Sequence, residues 1–103
     1  MIPTPQQLIE DVAERYGVTP DDILSKKRTQ TVADARALVC YFLLKHLHMS
    51  STEVGNAINR NHATALHSIQ KVDMMLDLPS MYPECAHIYV EVCNKWFSME
   101  EAV

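Results

Sequence analysis

The sequence is poor in features that several common protein classes require. It has 2 glycines and 5 prolines in 103 residues, and 48% of its residues are hydrophobic, which is typical of a packed domain rather than a disordered chain. No apolar run approaches the ~18 residues that a membrane-spanning helix needs. Residues 1–5 lack the basic and apolar regions of a signal peptide. We therefore expect a cytoplasmic protein without a membrane partner.

Metal and disulfide chemistry are also poorly supported. The three cysteines are an odd number, so a complete disulfide framework is excluded, and Cys40 lies in an apolar stretch typical of the core. Cys85, His87 and Cys93 do not form a convincing metal site, because residues two apart on a helix point to different faces. We predict neither a metal nor a cofactor.

Catalytic motifs are missing as well. Neither a Gly-x-x-x-x-Gly-Lys-(Ser/Thr) phosphate loop nor a nucleophile elbow occurs. His62 and His67 diverge by about 140° on a helix, so they do not form a natural pair. His46 and His48 lie at a predicted helix end, where the helix dipole favours a histidine in any case. We predict that the chain is not an enzyme.

The charge is distributed unevenly along the chain. The net charge is -4, but the formal charge is -4 over residues 1–25, +5 over 26–72 and -5 over 73–103. Binding responds to the local field, so a basic middle is compatible with an anionic partner despite the acidic total. On charge alone, a soluble protein with a basic middle is an equally good interpretation.

Helical periodicity and capping signals predict an all-α fold, a compact bundle of about six helices in one domain over residues 1–103. Thr4 and Gln7 predict a capping box at the start of the first helix, and Gly17 its end. Residues 25–30 have no apolar periodicity and form a basic loop. The predicted helices cover about 5–16, 20–25, 31–47, 50–58, 61–76 and 84–99. The expected inward residues of the last two helices are Ala65, Leu66, Ile69, Val72, Leu76, Ile88, Tyr89, Val92 and Trp96.

Residues 51–76 follow the helix-turn-helix plan of short helix, tight turn and longer helix. Gly55 lies inside the short helix, and close approach of another backbone is a physical reason to keep it there. The second helix opens with Arg60, Asn61, His62, Ala63 and Thr64, whose side chains suit base edges in the major groove. Asn61 is equally suited to a purely structural helix cap.

The run Ile23–Arg36, followed by Glu53-Val54-Gly55 and Arg60–His67, closely resembles the C-terminal DNA-binding domain of the bacterial replication initiator DnaA. The resemblance covers roughly residues 8–75. It implies a Trp-repressor-like helix-turn-helix that binds a short, asymmetric, A·T-containing box in double-stranded DNA. It further implies that the residues from Arg60 to Thr64 face the major groove, that Arg28 enters the minor groove, and that Lys26 and Lys27 hold phosphates. His67 takes a phosphate or packing role, and Lys71 completes the DNA-binding candidates on the same helix.

The sequence also departs from this family. The family usually has Asp at the position of Asn61 and Thr at that of Ala63, so the preferred bases should differ. The turn is about one residue shorter and lacks a glycine pair before Arg60. No ATPase module is present, which predicts a freestanding domain or a fragment. The resemblance does not extend to the acidic helical segment, residues 77–103.

We therefore predict a sequence-preferring, nucleoid-associated DNA binder in the control of bacterial replication initiation or transcription. The alternative is a protein-interaction module that kept the initiator fold but lost, or inhibits, DNA binding. The acidic segment could cover the basic face, mediate a homodimer or protein contact through Ile88, Val92 and Trp96, or simply complete the core.

Overall fold

The computed structural model describes residues 2–97, and every regular element in this range is a helix. The predicted all-α fold with six helices is confirmed. The helices are α1 Pro5–Tyr16, α2 Pro20–Leu24, α3 Gln30–Lys45, α4 Ser51–Ala57, α5 His62–Asp77 and α6 Pro83–Trp96. None of the helices in the described part is long and apolar enough to cross a membrane.

Local capping chemistry sets several of the helix boundaries. The Thr4 side chain accepts from the Gln7 backbone N–H while the Gln7 side chain accepts from the Thr4 N–H, which is the predicted capping box. Gly17 ends α1 in the left-handed conformation, with φ of 75°. Ser50 and Glu53 form an equivalent box at α4. These signals act within four residues, which is why they can be recognised in a sequence.

Helix α3 is the centre of the core. It packs against each of the other five helices, and its buried side chains include Leu38, Val39, Phe42 and Leu43. Helix α6 closes the core with Cys85, Ile88, Val92 and Cys93, all buried. The interpretation in which the last helix completes the core is therefore supported within residues 83–97.

Several predicted boundaries and one predicted core residue were wrong. Helix α3 begins at Gln30, which shortens the basic loop to residues 25–29, and ends at Lys45 rather than 47. Helix α6 ends at Trp96, and residues 98–99 of the predicted helix lie outside the described residues. Leu66 is 46% exposed, whereas Met75 is buried in the core. The buried positions on α5 follow 65, 69, 72 and 75, and Leu66 lies just beyond that narrow stripe.

Candidate nucleic-acid interface

The helix-turn-helix depends on a close backbone approach at Gly55. A Cβ at this position would lie 2.6 Å from the Arg60 carbonyl oxygen and 2.9 Å from the Asn61 carbonyl carbon. The Arg60 backbone N–H donates to the Gly55 carbonyl at 2.7 Å. The predicted reason for a glycine inside α4 is confirmed, because no other residue leaves room for the turn.

The turn between α4 and α5 has an asparagine at a position whose backbone conformation favours glycine. Asn59 has φ of 61°, in the left-handed region that asparagine tolerates better than most residues. This conformation explains how the turn closes without a glycine pair. Arg60 lies in the turn, and α5 begins at His62, so Arg60 and Asn61 precede the helix rather than opening it.

Asn61 is the N-cap of α5. Its Oδ1 accepts from the Thr64 backbone N–H at 3.0 Å and from the Thr64 hydroxyl at 3.3 Å. The capping interpretation of Asn61 is therefore confirmed, while the side chain remains exposed and available at the surface. His62 and Ala63 are exposed in the first turn, and Thr64 is half-buried beside them. The start of α5 presents a small polar surface to solvent.

Arg36 holds the basic loop in place. This arginine is only 6% exposed, and its Nε donates to the Ile23 carbonyl at 2.8 Å. Its Nη2 lies 2.9–3.1 Å from the carbonyls of Asp22, Ser25 and Lys27. Burial, followed by the charge of nearby Arg60, lowers the pKa of Arg36. From the sequence alone, Arg36 was predicted only to contribute to the positive charge of residues 26–72. An arginine four residues after buried Val32 and four before buried Cys40 was the signal of an internal role.

Arg60 links the turn to the same loop. Its Nη2 donates to the Ser25 carbonyl at 2.9 Å, so Arg36 and Arg60 share one acceptor. The Arg60 Nε is buried without a hydrogen-bond partner in the described structure. The basic loop and the start of α5 are therefore connected directly, through side chains bonded to one backbone carbonyl.

Two adjoining clefts mark the surface between these elements. The first, of about 490 Å³, is lined by Lys26, Gly55, Asn56, Asn59, Arg60, Asn61 and Thr64. The second, of about 280 Å³, runs along α3 and α5 and shares Arg60 and Thr64 with the first. His67 and Lys71 line this second cleft. The structure thus brings Lys26, Arg60, Asn61, Thr64, His67 and Lys71 onto one continuous surface, which we call the basic face.

The cations on and around the basic face differ in how freely they could bind an anion. Lys26 and Arg28 are exposed and form no ion pair within residues 2–97. The Lys27 Nζ lies 3.7 Å from an Asp22 oxygen, which is a loose, solvent-exposed pair.

Two carboxylates sit beside this surface. A hydrogen bond from the Thr19 backbone N–H is the main reason that the pKa of Asp22 is lowered, and the charge of Lys27 adds to it. The Lys71 Nζ lies 2.9 Å from Asp34, which also accepts from Gln30. Lys71 is therefore less available than Lys26 or Arg28, a restraint that its position in the sequence did not reveal.

Helix α6 is anchored to α1 by side-chain hydrogen bonds. Its Glu91 accepts from Arg15 at 2.8 Å, and the Trp96 Nε1 donates to Asp11 at 2.8 Å. Within residues 2–97, the acidic residues of α6 form no ion pair with Lys26, Lys27, Arg28 or Arg60. An inhibitory cover formed by this helix has no support in the described part of the chain. Glu100 and Glu101 lie outside it.

Comparison with known proteins gives a consistent picture. Residues 5–72 match the family described as the bacterial DnaA protein helix-turn-helix. The chain is 40% identical over 74 residues to the chromosomal replication initiator protein DnaA of Ureaplasma parvum and 32% identical over 71 residues to that of Thermosipho melanesiensis. It is 34% identical over 74 residues to DnaA 2 of Protochlamydia amoebophila. These matches cover 71%, 69% and 72% of the chain, which spans only 16% of the length of each relative.

Proposed function

The chain belongs to the bacterial DnaA helix-turn-helix family, and on that premise we propose that it binds double-stranded DNA with a sequence preference, in the control of replication initiation. The observation that carries this proposal is the direct connection between the basic loop and the start of α5 through the Ser25 carbonyl. A protein that reads both grooves of one short site must fix the spacing between its two reading elements. Such a partner would associate the protein with the nucleoid.

The start of α5 would enter the major groove. In a docked helix-turn-helix, the first residues of the second helix meet base edges. His62 and Ala63 are exposed there, and Asn61 and Thr64 line the adjoining cleft. The His62 and Ala63 backbone N–H groups lie in the first turn, where the helix dipole favours a phosphate. His67, which lies one turn further along α5, would contact the DNA backbone at the edge of the major groove.

The basic loop would supply affinity and read the minor groove. Arg28 is exposed and without an ion pair within residues 2–97, so it can extend into a narrow A·T-rich groove, where the negative potential is strongest. Lys26 and Lys27 would bind the flanking phosphates. Because Lys71 is paired with Asp34 and Arg60 is bonded to the Ser25 carbonyl, we count three available cations, Lys26, Lys27 and Arg28.

The test is fluorescence polarisation of a labelled duplex carrying a DnaA-type box, compared with a scrambled duplex of the same composition, at several salt concentrations. Three phosphate contacts predict a slope of log K against log [salt] of roughly -2.7. Tighter binding to the box with a slope near this value would support the proposal. Absence of binding to either duplex at low salt would refute it and favour a protein-interaction module.

A matched pair of variants separates the basic face from general charge. Lys27→Ala should weaken binding to all sequences alike and make the salt slope shallower by about one unit. Lys45→Ala removes the same charge at the C-terminal end of α3, about 22 Å along the helix axis from Gln30, the residue that follows the basic loop. Lys45→Ala should leave the slope unchanged. Equal effects of the two variants would mean that binding responds only to net charge.

The minor-groove role of Arg28 has its own test. Inosine·cytosine pairs resemble A·T pairs in the minor groove, because the guanine amino group is missing, but resemble G·C in the major groove. At the site of Arg28 entry, replacement of A·T by inosine·cytosine should preserve wild-type affinity, whereas G·C should weaken it. Arg28→Ala should abolish this difference. A wild-type protein that treats both replacements alike would place Arg28 outside the minor groove.

A further inference from the structure

We propose that Asn61 is a specificity-determining residue that presents only a hydrogen-bond donor to the DNA, and therefore rejects cytosine at the position that it faces. This inference rests on the proposed binding of double-stranded DNA. It goes beyond that proposal by stating which edge chemistry one side chain can recognise.

The orientation of the Asn61 amide is fixed by the helix that it caps. A backbone N–H needs an acceptor, so the atom that bonds to the Thr64 N–H at 3.0 Å must be Oδ1 rather than Nδ2. The Thr64 hydroxyl also donates to this Oδ1, at 3.3 Å. A carbonyl oxygen has two lone pairs, and both are engaged here.

The remaining amide group is free for recognition. The Asn61 Nδ2 has no hydrogen-bond partner within residues 2–97, and the side chain is exposed on the cleft that the basic loop and α5 share. Loss of the cap in order to turn the amide would expose the first N–H groups of α5. The cap therefore favours the orientation in which Oδ1 faces the helix and Nδ2 is left to contact the DNA.

This orientation limits the bases with which Asn61 can form a hydrogen bond. Asparagine usually pairs with adenine through both its oxygen and its nitrogen, but the oxygen is occupied here. A single donor can bond to N7 or O6 of guanine, N7 of adenine, or O4 of thymine. Cytosine presents only an amino donor in the major groove, so two donors would face each other without an acceptor. We expect cytosine to be disfavoured by about fivefold to a hundredfold.

The experiment is selection of binding sites from a randomised duplex library by the wild-type chain and by Asn61→Asp. Aspartate retains the cap with one oxygen and replaces the donor with an acceptor. The wild type should deplete cytosine at one position, and Asn61→Asp should enrich cytosine or adenine at that same position, with the other positions unchanged. The comparison uses base ratios, because the added negative charge lowers affinity for all DNA.

Asn61→Ser is the control. Serine also caps helices but does not carry the amide donor, so it should keep the thermal stability and lose the discrimination at that one position. This inference would be overturned if the wild type did not deplete cytosine at any position, or if the wild type and Asn61→Asp had identical base preferences. Either result would leave the proposed DNA binding intact. Absence of any selected site for the wild type would instead refute the proposed function itself.

Discussion

Replacement of Arg36 by methionine tests whether this buried arginine holds the basic loop. Arg36 is 6% exposed, and methionine retains its apolar stem but removes the guanidinium, which lies within 3.1 Å of four backbone carbonyls. The loop between α2 and α3 contains no other regular structure. Arg36 bonds to two carbonyls of this loop, those of Ser25 and Lys27, whereas Arg60 bonds only to that of Ser25, so the position of the loop should depend mainly on Arg36.

The magnitude follows from the hydrogen bonds. The charged Arg36 side chain donates a buried hydrogen bond to the Ile23 carbonyl, which is worth about 1.5–3 kcal/mol. The part-buried bonds contribute less because water can replace them. We expect the free energy of unfolding to fall by about 3 kcal/mol. For a domain of this size, that loss lowers the melting temperature by roughly 12–24 °C.

The assay is urea denaturation followed by circular dichroism, together with hydrogen exchange of the backbone amides in residues 25–29. Arg28→Met is the matched control, since Arg28 is exposed and should change the free energy of unfolding by no more than about 0.5 kcal/mol. If Arg36→Met were as stable as Arg28→Met, with unchanged exchange in the loop, the proposed holding role of Arg36 would be refuted.

Three further predictions concern the turn, α6 and the core. Gly55→Ala places a methyl group 2.6 Å from the Arg60 carbonyl, and should lower the free energy of unfolding by about 2–3 kcal/mol; a melting temperature equal to that of the wild type would contradict the close packing. Trp96→Phe removes the hydrogen bond to buried Asp11, and should cost about 1–2 kcal/mol in urea denaturation without changing the DNA salt slope. Burial raises the pKa of the Cys40 thiol to about 11, so maleimide should label it slowly in the folded protein at about pH 8 and rapidly in urea; fast labelling of the folded protein would show that Cys40 is accessible.

The sequence was sufficient for the features that depend on neighbouring residues. Capping pairs such as Thr4 with Gln7 act over three positions, and the periodic apolar residues of α1 reveal its buried face without reference to the rest of the chain. The glycine inside α4 could also be interpreted, because a residue that weakens a helix needs a steric reason. The structure then supplied the partner atom, the Arg60 carbonyl.

The features that depend on distant residues could not be predicted in the same way. Arg36 bonds to carbonyls 9–14 residues away, and Arg60 bonds to Ser25 across 35 residues. Lys71 is restrained by Asp34, which lies on another helix. The sequence shows which residue types lie near the candidate site. It does not show which cations are paired, because the pairing depends on how α3 packs against α5 and the basic loop.

The most direct test of the central claim is titration of the ¹⁵N-labelled chain with the box duplex, followed by nuclear magnetic resonance. The proposed two-groove binding predicts that backbone amide shifts change together in residues 25–29 and 60–68, with little change in 83–96. Changes concentrated in α6, or in only one of the two reading elements, would contradict the claim that the basic loop and the start of α5 form a single DNA-binding surface.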